Sequence, residues 1–445
     1  MARAKKRIVI LGGGFAGIEC ARKLEALFRN DYSIEIVLVN EDNFLLFTPL
    51  LPQVASGMIE TRHAITSIRT ILDRATFYEG RVKNIDQYGK IITLWGTTEK
   101  RGISIHYDYL ILALGSQTNF FGMSDVELHA YTMKTLNDAV MLRNRTIDML
   151  EQAENETNPI LRKSLLTFVI VGAGFAGIET AGELLDLLLD VVKYYPNIHR
   201  KDLRVIVLEA LSNILPGFNE TLAKFAERKL EQRGLEINLK SAVTSFDGNE
   251  VKIKKLNGDD SSEAIQTKTL IWTAGVTPVN IIKRSTFKMD HGKIIVNDFL
   301  EVTDFPGLFA IGDCANFLNP ETKRPYAPTA QLAVEQAKTA AHNLYALIKN
   351  REKRKFVYKS KGQMAIIGKR TGIANILGRN IAGFWAWLIW RNVYLTKIPN
   401  WDKRLRVLID WTLDLFFARD IARLKFFKKP TELEYKVLDE VDDVW

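Results

Sequence analysis

Gly12-Gly13-Gly14-Phe15-Ala16-Gly17-Ile18-Glu19 follows the apolar run Ile8-Val9-Ile10-Leu11. It leads into Cys20-Ala21-Arg22-Lys23-Leu24-Glu25-Ala26-Leu27, which reads as a helix. A buried strand, a glycine turn and a helix start together make the dinucleotide-binding fingerprint. Gly12 permits the tight turn, Gly14 lets a pyrophosphate approach the backbone, and Gly17 lets helix pack on strand. Phe15 and Ala16 belong to the same turn, where free N–H groups at the helix start hold phosphate. One such motif is weak; here it recurs. Phe168-Val169-Ile170-Val171 precedes Gly172-Ala173-Gly174-Phe175-Ala176-Gly177-Ile178-Glu179, and residues 14–19 and 174–179 are identical, 160 positions apart. Gly172, Gly174 and Gly177 take the same three tasks. Two dinucleotide sites in one chain imply a flavin in the first and a nicotinamide in the second.

With 445 residues, 47% of them hydrophobic, the chain can form two or three domains with full cores. Only Cys20 and Cys314 are present. That excludes a disulfide framework and any CxxC or zinc spacing, so no metal site is expected and a reducing compartment is. The first strand begins at about residue 7, which leaves no room for a signal or transit peptide.

Ile34-Glu35-Ile36-Val37-Leu38-Val39 reads as the second strand of the first unit. Its end should carry a ribose-binding group, and either Asn40 or Glu41 fits, with Glu41 slightly favoured. Leu46-Phe47-Thr48-Pro49-Leu50-Leu51-Pro52 is a turn-rich apolar loop that could lie over a flavin, with Thr48 facing it. Tyr109-Leu110-Ile111-Leu112-Ala113-Leu114-Gly115 is a buried strand ending in a small residue, Ala113, and a glycine, Gly115. Leu270-Ile271-Trp272-Thr273-Ala274-Gly275 repeats that pattern after the second fingerprint, so Ala113, Gly115 and Gly275 lie where the chain crosses between domains near the cofactors. Strand Leu203–Leu208 ends at Glu209, whose carboxylate would accept from the adenosine ribose and repel a 2′-phosphate, favouring NADH over NADPH. Leu308-Phe309-Ala310-Ile311-Gly312-Asp313 is a late strand whose Asp313 would bind flavin hydroxyls. A helix opens near Pro328 through Ala330 and Gln331, its positive end aimed at negative charge on a reduced flavin.

These signals give an α/β fold of two Rossmann-like dinucleotide-binding domains with a C-terminal amphipathic helical region. The expected boundaries are 1–135 and 286–350 for the FAD domain, 136–163 for a polar helical connector, 164–285 for the NADH domain and 351–445 for the C-terminal region. That last region holds five of the eight tryptophans between residues 385 and 411, and residues 379–429 carry +7 of the net +9. Ile381 to Trp390 is apolar but half the roughly 20 residues needed to span a bilayer. Leu405, Leu408, Ile409, Thr412, Leu415 and Phe416 recur at helical spacing. Short apolar helices flanked by cations and Trp suit an anchor in the membrane interface over residues 380–429, each cation adding roughly 1 kcal/mol at an anionic lipid surface. A nucleic-acid partner would need cations without such bulky apolar neighbours.

Taken together, both GFAGIE motifs, Phe47-Thr48-Pro49-Leu50-Leu51, Gly312-Asp313-Cys314-Ala315, Ala330-Gln331-x-Ala333 and Gly368-Lys369-Arg370 resemble the type II NADH:quinone oxidoreductases over nearly the whole chain. The resemblance implies non-covalent FAD, hydride transfer from NADH, and reduction of a membrane quinone without proton pumping. It also implies a homodimer and a peripheral protein on the cytoplasmic face of the cell membrane. It marks Gln331 as a quinone contact, Glu179 as the glutamate beside nicotinamide and quinone, and Lys369 as a lysine next to the flavin. The family's Ala-Gln-x-Ala-x-Gln motif has Glu335 at its last position here, with Gln336 following. Two other readings share the plan. One is a sulfide:quinone oxidoreductase, which needs relay thiols, and the other is a low-turnover NAD(H)-responsive flavoprotein.

Overall fold

The computed structural model describes residues 5–95, 102–256, 261–320 and 322–423. The part of the expected anchor from residue 424 onward lies outside them. The first unit runs β1 (Lys6–Leu11), α1 (Phe15–Leu27), β2 (Ile34–Asn40), α2 (Leu51–Ala55) and β3 (Thr76–Glu79). A three-stranded antiparallel flap follows, β4 to β6 (Arg81–Asp86, Ile91–Trp95, Ile103–His106). Next come β7 (Tyr109–Leu112) and the crossing strand β8 (Ser116–Thr118).

The second unit repeats that order. It holds β9 (Tyr131–Thr132), α3 (Leu136–Asn155), β10 (Thr167–Val171), α4 (Phe175–Val191), β11 (Arg204–Leu208), α5 (Glu220–Gln232) and β12 (Leu235–Asn238). Its own flap, β13 to β15 (Ser241–Phe246, Glu250–Lys255, Ser262–Gln266), leads to β16 (Thr269–Trp272) and the crossing strand β17 (Val276–Pro278). The chain then returns through β18 (Leu308–Ala310) and α6 (Ala330–Ile348) to the first unit. It ends in a three-stranded sheet, β19 to β21 (Gly362–Ile366, Gly372–Ile376, Arg379–Gly383), and two helices, α7 (Phe384–Lys397) and α8 (Trp401–Leu413).

Both main sheets are parallel and five-stranded, ordered β18-β7-β1-β2-β3 and β9-β16-β10-β11-β12. Their central strands are buried on both faces, which explains runs such as Ile8–Leu11 and Phe168–Val171 with no polar alternation. The repeat extends to detail: each flap slips register at one matching place, between Val82 and Asn84 and between Val243 and Ser245. The crossing strands β8 and β17 pair antiparallel with each other.

Two expectations change. The loop expected at residues 46–52 is mostly helical: a 3-10 turn at Thr48–Leu50 runs into α2, with Phe47, Leu50 and Leu51 buried. Pro49 and Pro52 each occupy a first helical turn, where a missing N–H costs nothing, so they start helix here instead of breaking it. The span 136–163 is helical, but α3 is more than a polar connector. Opened by a capping box of Thr135 and Asp138, it buries Ala139, Leu142, Met149 and Leu150 against Leu51, Val54 and Phe168. One apolar cluster therefore includes residues of the first unit, the second unit and the C-terminal helices Trp387, Trp390 and Trp411.

Candidate functional site

The first cradle forms where β1 meets α1. Gly12 turns at φ +108, and a Cβ there would sit 2.2 Å from the Ala113 carbonyl oxygen. A Cβ on Gly17 would sit 1.8 Å from the Gly12 oxygen, so neither position tolerates a side chain. Above Gly14 the space is open to 4 Å. The start of α1 has no side-chain cap and no acid in its first turn, whereas Thr135, Asn219 and Thr329 cap α3, α5 and α6. Free N–H groups facing an open space over a glycine fit a dinucleotide pyrophosphate. Ala16, buried, packs toward Gly312 on the opposite side of the turn.

Asn40 and Glu209 play matching parts. The Asn40 Oδ1 accepts from Gly13 N at 2.7 Å, and its amide donates to the Asp42 carbonyl. The Glu209 Oε2 accepts from Ala173 N at 2.6 Å and its Oε1 from Leu211 N at 2.9 Å. Each holds the middle residue of a glycine turn. Glu41, slightly favoured from sequence, and Thr48 are solvent-exposed. The second cradle otherwise copies the first: Gly174 is open, and a Cβ on Gly177 would lie 1.8 Å from Gly172 O. Gly115 and Gly275 turn at φ +71 and +73 where the chain enters β8 and β17.

Asp313 stands at the end of the strand holding Ala310. Its Oδ2 accepts from Ser116 Oγ at 2.7 Å, and Lys134 Nζ donates to the same hydroxyl at 2.9 Å. Burial pushes the Lys134 ammonium down, with Asp313 pulling the other way. Neither Ser116 nor Lys134 was singled out from sequence. Lys134 lies just before the Thr135 capping box, the one local sign of a fixed position. Gln336, nearly fully buried, accepts from Gly312 N at 2.7 Å, so the glutamine after Glu335 supports the turn that carries Asp313. Ala330 opens α6, and Gln331 Oε1 accepts from the Tyr358 hydroxyl and Lys361 N. Glu335 pairs with Lys338 and Lys361.

Glu179 lies in the first turns of α4 and accepts from Ile366 N at 3.0 Å. Burial pushes its carboxyl up to about 8; the Ile366 bond opposes this and the charge of Glu183 adds to it. Tyr394 of α7 faces the same region, its hydroxyl held well above the usual range by burial and by Glu179. The Tyr394 ring stacks on Trp390 and meets Phe47 edge-on, and Phe47 in turn meets Phe15. These rings line a path from the first cradle to the C-terminal helices. Lys369 is not brought to Glu179. Residues 366–370 run down α4, and Lys369 Nζ pairs with Asp190 at 3.3 Å. Eleven residues of helix separate the two acids, about 16 Å.

The C-terminal helices bury one side and expose another. Trp387, Trp390, Val407 and Trp411 are buried, and Trp411 Nε1 donates to Gln53 Oε1 at 2.8 Å. Trp385, Trp401, Leu405, Leu408, Ile409, Phe416 and Phe417 are exposed, Trp401 and Phe416 by three-quarters of their surface. The expected stripe thus faces outward, except Leu415, which packs on the core. Among the described residues no helix is long and apolar enough to cross a membrane.

Comparison with known proteins agrees with this geometry. Residues 6–341 match the pyridine nucleotide-disulphide oxidoreductase family and residues 360–420 the NDH2 C-terminal domain. The type II NADH:quinone oxidoreductase Ndh of Mycobacterium tuberculosis is 31% identical over 93% of this chain and 89% of its own. A probable NADH dehydrogenase of Dictyostelium discoideum is 31% identical over 94% and 91%. Among solved structures, NDH2 from Plasmodium falciparum in complex with NADH superposes with a TM-score of 0.86, covering 94% of this chain and 100% of that one at 21% identity. The sulfide:quinone oxidoreductase of Aquifex aeolicus superposes at 0.71, covering 96% and 98% at 16% identity, which shares the fold alone. With both cradles, the late return strand and the C-terminal helices accounted for, this chain belongs to the pyridine nucleotide-disulphide oxidoreductases and, within them, to the type II NADH:quinone oxidoreductases.

Proposed function

We propose that the chain oxidises NADH and reduces a membrane quinone, with the first cradle holding FAD and the second holding NADH. FAD, when bound, supplies the redox chemistry, taking a hydride from NADH and passing two electrons to quinone without proton pumping. The residues then divide the remaining tasks. Gly12, Gly14, Gly17 and the uncapped start of α1 bind the FAD pyrophosphate, while Asn40 shapes that turn. Asp313, steadied by Ser116 and Lys134, takes flavin hydroxyls. Glu209 accepts from the adenosine ribose of NADH. Glu179 holds a proton near neutral pH and delivers it toward the quinone, with Gln331 as a quinone contact. Lys369, paired with Asp190, is given no chemical step.

The exposed aromatic and leucine face of α7 and α8 rests on an anionic lipid surface, making the protein peripheral on the cytoplasmic face of the cell membrane. A homodimer belongs to the same reading and rests on the family resemblance. The carrying observation is the pair of uncapped helix starts, each open above its glycine, in units whose crossing strands pair. Stopped-flow absorbance tests it: NADH should bleach the flavin and a soluble quinone should restore it. Unchanged absorbance after NADH would end the proposal.

The sulfide:quinone alternative fails on the thiols. Cys20 and Cys314 are fully buried in separate apolar clusters. Burial pushes the Cys314 thiol up to about 11 and Cys20 higher still, so neither offers a thiolate at neutral pH.

A further inference from the structure

The helix that carries Glu179 has a second acid one turn on, and its partner comes from far away. Glu183 is buried, accepts from Ser56 Oγ at 2.8 Å, and pairs with Arg419 at 3.0 Å. Arg419 lies just beyond the end of α8 and has a side chain 1% exposed. Its guanidinium also reaches Asp414 at 3.3 Å and Asp190 at 3.9 Å, and donates to the Glu183 carbonyl. The segment around it is fastened independently. Arg143 of α3 donates to the carbonyls of Asp420 and Ala422, and Arg423 pairs with Asp148.

We propose that Arg419 is a positioning residue for proton delivery by Glu179: seated between the C-terminal helices and α4, it neutralises Glu183 one turn from Glu179 and so sets the field in which that proton is held. The inference rests on the proton role given to Glu179 above. Other charges facing the pair come from every packed element. On α4 they are Asp186 and Asp190, Asp186 paired with Arg233, which caps the end of α5. The turn after β19 brings Lys369 and Arg370, α7 brings Arg391 and Tyr394, and the end of α8 brings Asp414. Arg391 stacks on Trp387 at 3.9 Å and donates to the Trp411 carbonyl, feeling the charges of Asp414 and Glu183 from across the cavity. Among the described residues Arg419 is the cation that pairs with the Glu183 carboxylate itself. Burial works against its charge, and Glu183, Asp414, Asp186 and Asp190 together outweigh that cost.

The test uses the full-length, FAD-loaded protein in detergent, following flavin reoxidation by a soluble quinone over a pH series. Arg419→Gln leaves Glu183 uncompensated and should move the midpoint of the profile up by about one pH unit. Arg419→Lys should keep it near the parent value. Glu183→Gln alone should move it down, and the double variant should cancel most of the Arg419→Gln change. A midpoint unmoved in Arg419→Gln, while Glu179→Gln abolishes the titration, overturns the role of Arg419 alone. If Arg419→Gln does not fold, an unmoved midpoint in Glu183→Gln overturns it equally. A profile intact in Glu179→Gln removes the proton role of Glu179, and this inference with it.

Discussion

Alanine at Gly14 and at Gly17 should have opposite consequences, although the two residues are three apart in one turn. At Gly17 a methyl would lie 1.8 Å from the Gly12 carbonyl oxygen and 3.0 Å from its carbon. Both are backbone atoms and cannot rotate away, so helix and strand must separate. Overpacking of this kind costs about 1–3 kcal/mol. At Gly14 nothing lies within 4 Å, and the backbone is extended at φ −78 and ψ −169, which any residue adopts. The flavin-free chain should therefore fold unimpaired, gaining about 0.4–1 kcal/mol from a less flexible unfolded state. The same methyl occupies the approach of the pyrophosphate. Losing one charged hydrogen bond there costs about 1.5–3 kcal/mol, roughly ten- to a hundredfold in FAD Kd. Thermal melts of the FAD-free protein and flavin fluorescence on titration with FAD measure the two quantities separately. A Gly14→Ala protein that binds FAD as tightly as the parent, or melts lower without FAD, would refute the cradle assignment. In the second cradle Gly174→Ala should weaken NADH binding and leave FAD retention alone, whereas Gly177→Ala, 1.8 Å from the Gly172 oxygen, should destabilise the fold as Gly17→Ala does.

Three further outcomes are expected. Glu209→Gln should raise the kcat/KM of NADPH relative to NADH by roughly tenfold, and an unchanged ratio would remove Glu209 from the ribose site. Glu179 sits above its ordinary carboxyl value of 4.5, at about 8, so between those pH values the folded chain keeps a proton that the unfolded chain has lost. Stability contributed by this group is thus lost as pH rises through that window and is level above it; denaturant titrations of Glu179→Gln should show a shallower decline. Replacing Trp385, Trp401, Phe416 and Phe417 together by serine should release the protein from anionic liposomes without lowering its melting temperature, because all four side chains are largely exposed. Cosedimentation at the parent level would contradict the lipid-facing role. Removing residues 380–445 outright is a poorer test, since Trp387, Trp390 and Trp411 help fill the common core.

The parts of this molecule legible in the sequence are those whose physics is local. A strand buried on both faces is a continuous apolar run, and a phosphate turn needs glycine at fixed spacing. Both fingerprints, β7, β16 and β18 could accordingly be placed from residues alone. The end of β2 was harder, because an amide at Asn40 serves the turn as well as a carboxylate serves it at Glu209, and only the hydrogen bond to Gly13 N shows this. Pro49 and Pro52 looked like loop residues because proline opens a helix as readily as it breaks one. Least legible were the long-range ion pairs. Arg419 meets Glu183 across 236 positions, and no spacing rule connects them. Lys369 illustrates the converse, a motif residue whose neighbours are set by the path of residues 366–370 along α4 instead of by the motif.

The paired crossing strands and the apolar cluster common to both halves bear on how those halves can move. Ser116 to Thr118 lies zipped to Val276 to Pro278, and Leu50, Leu51, Phe168, Ile170 and Trp411 fill a single interior. Such a body has no clamshell to open. Swinging one half against the other would unzip that pairing and bring that interior into water, so the fold itself opposes such a motion.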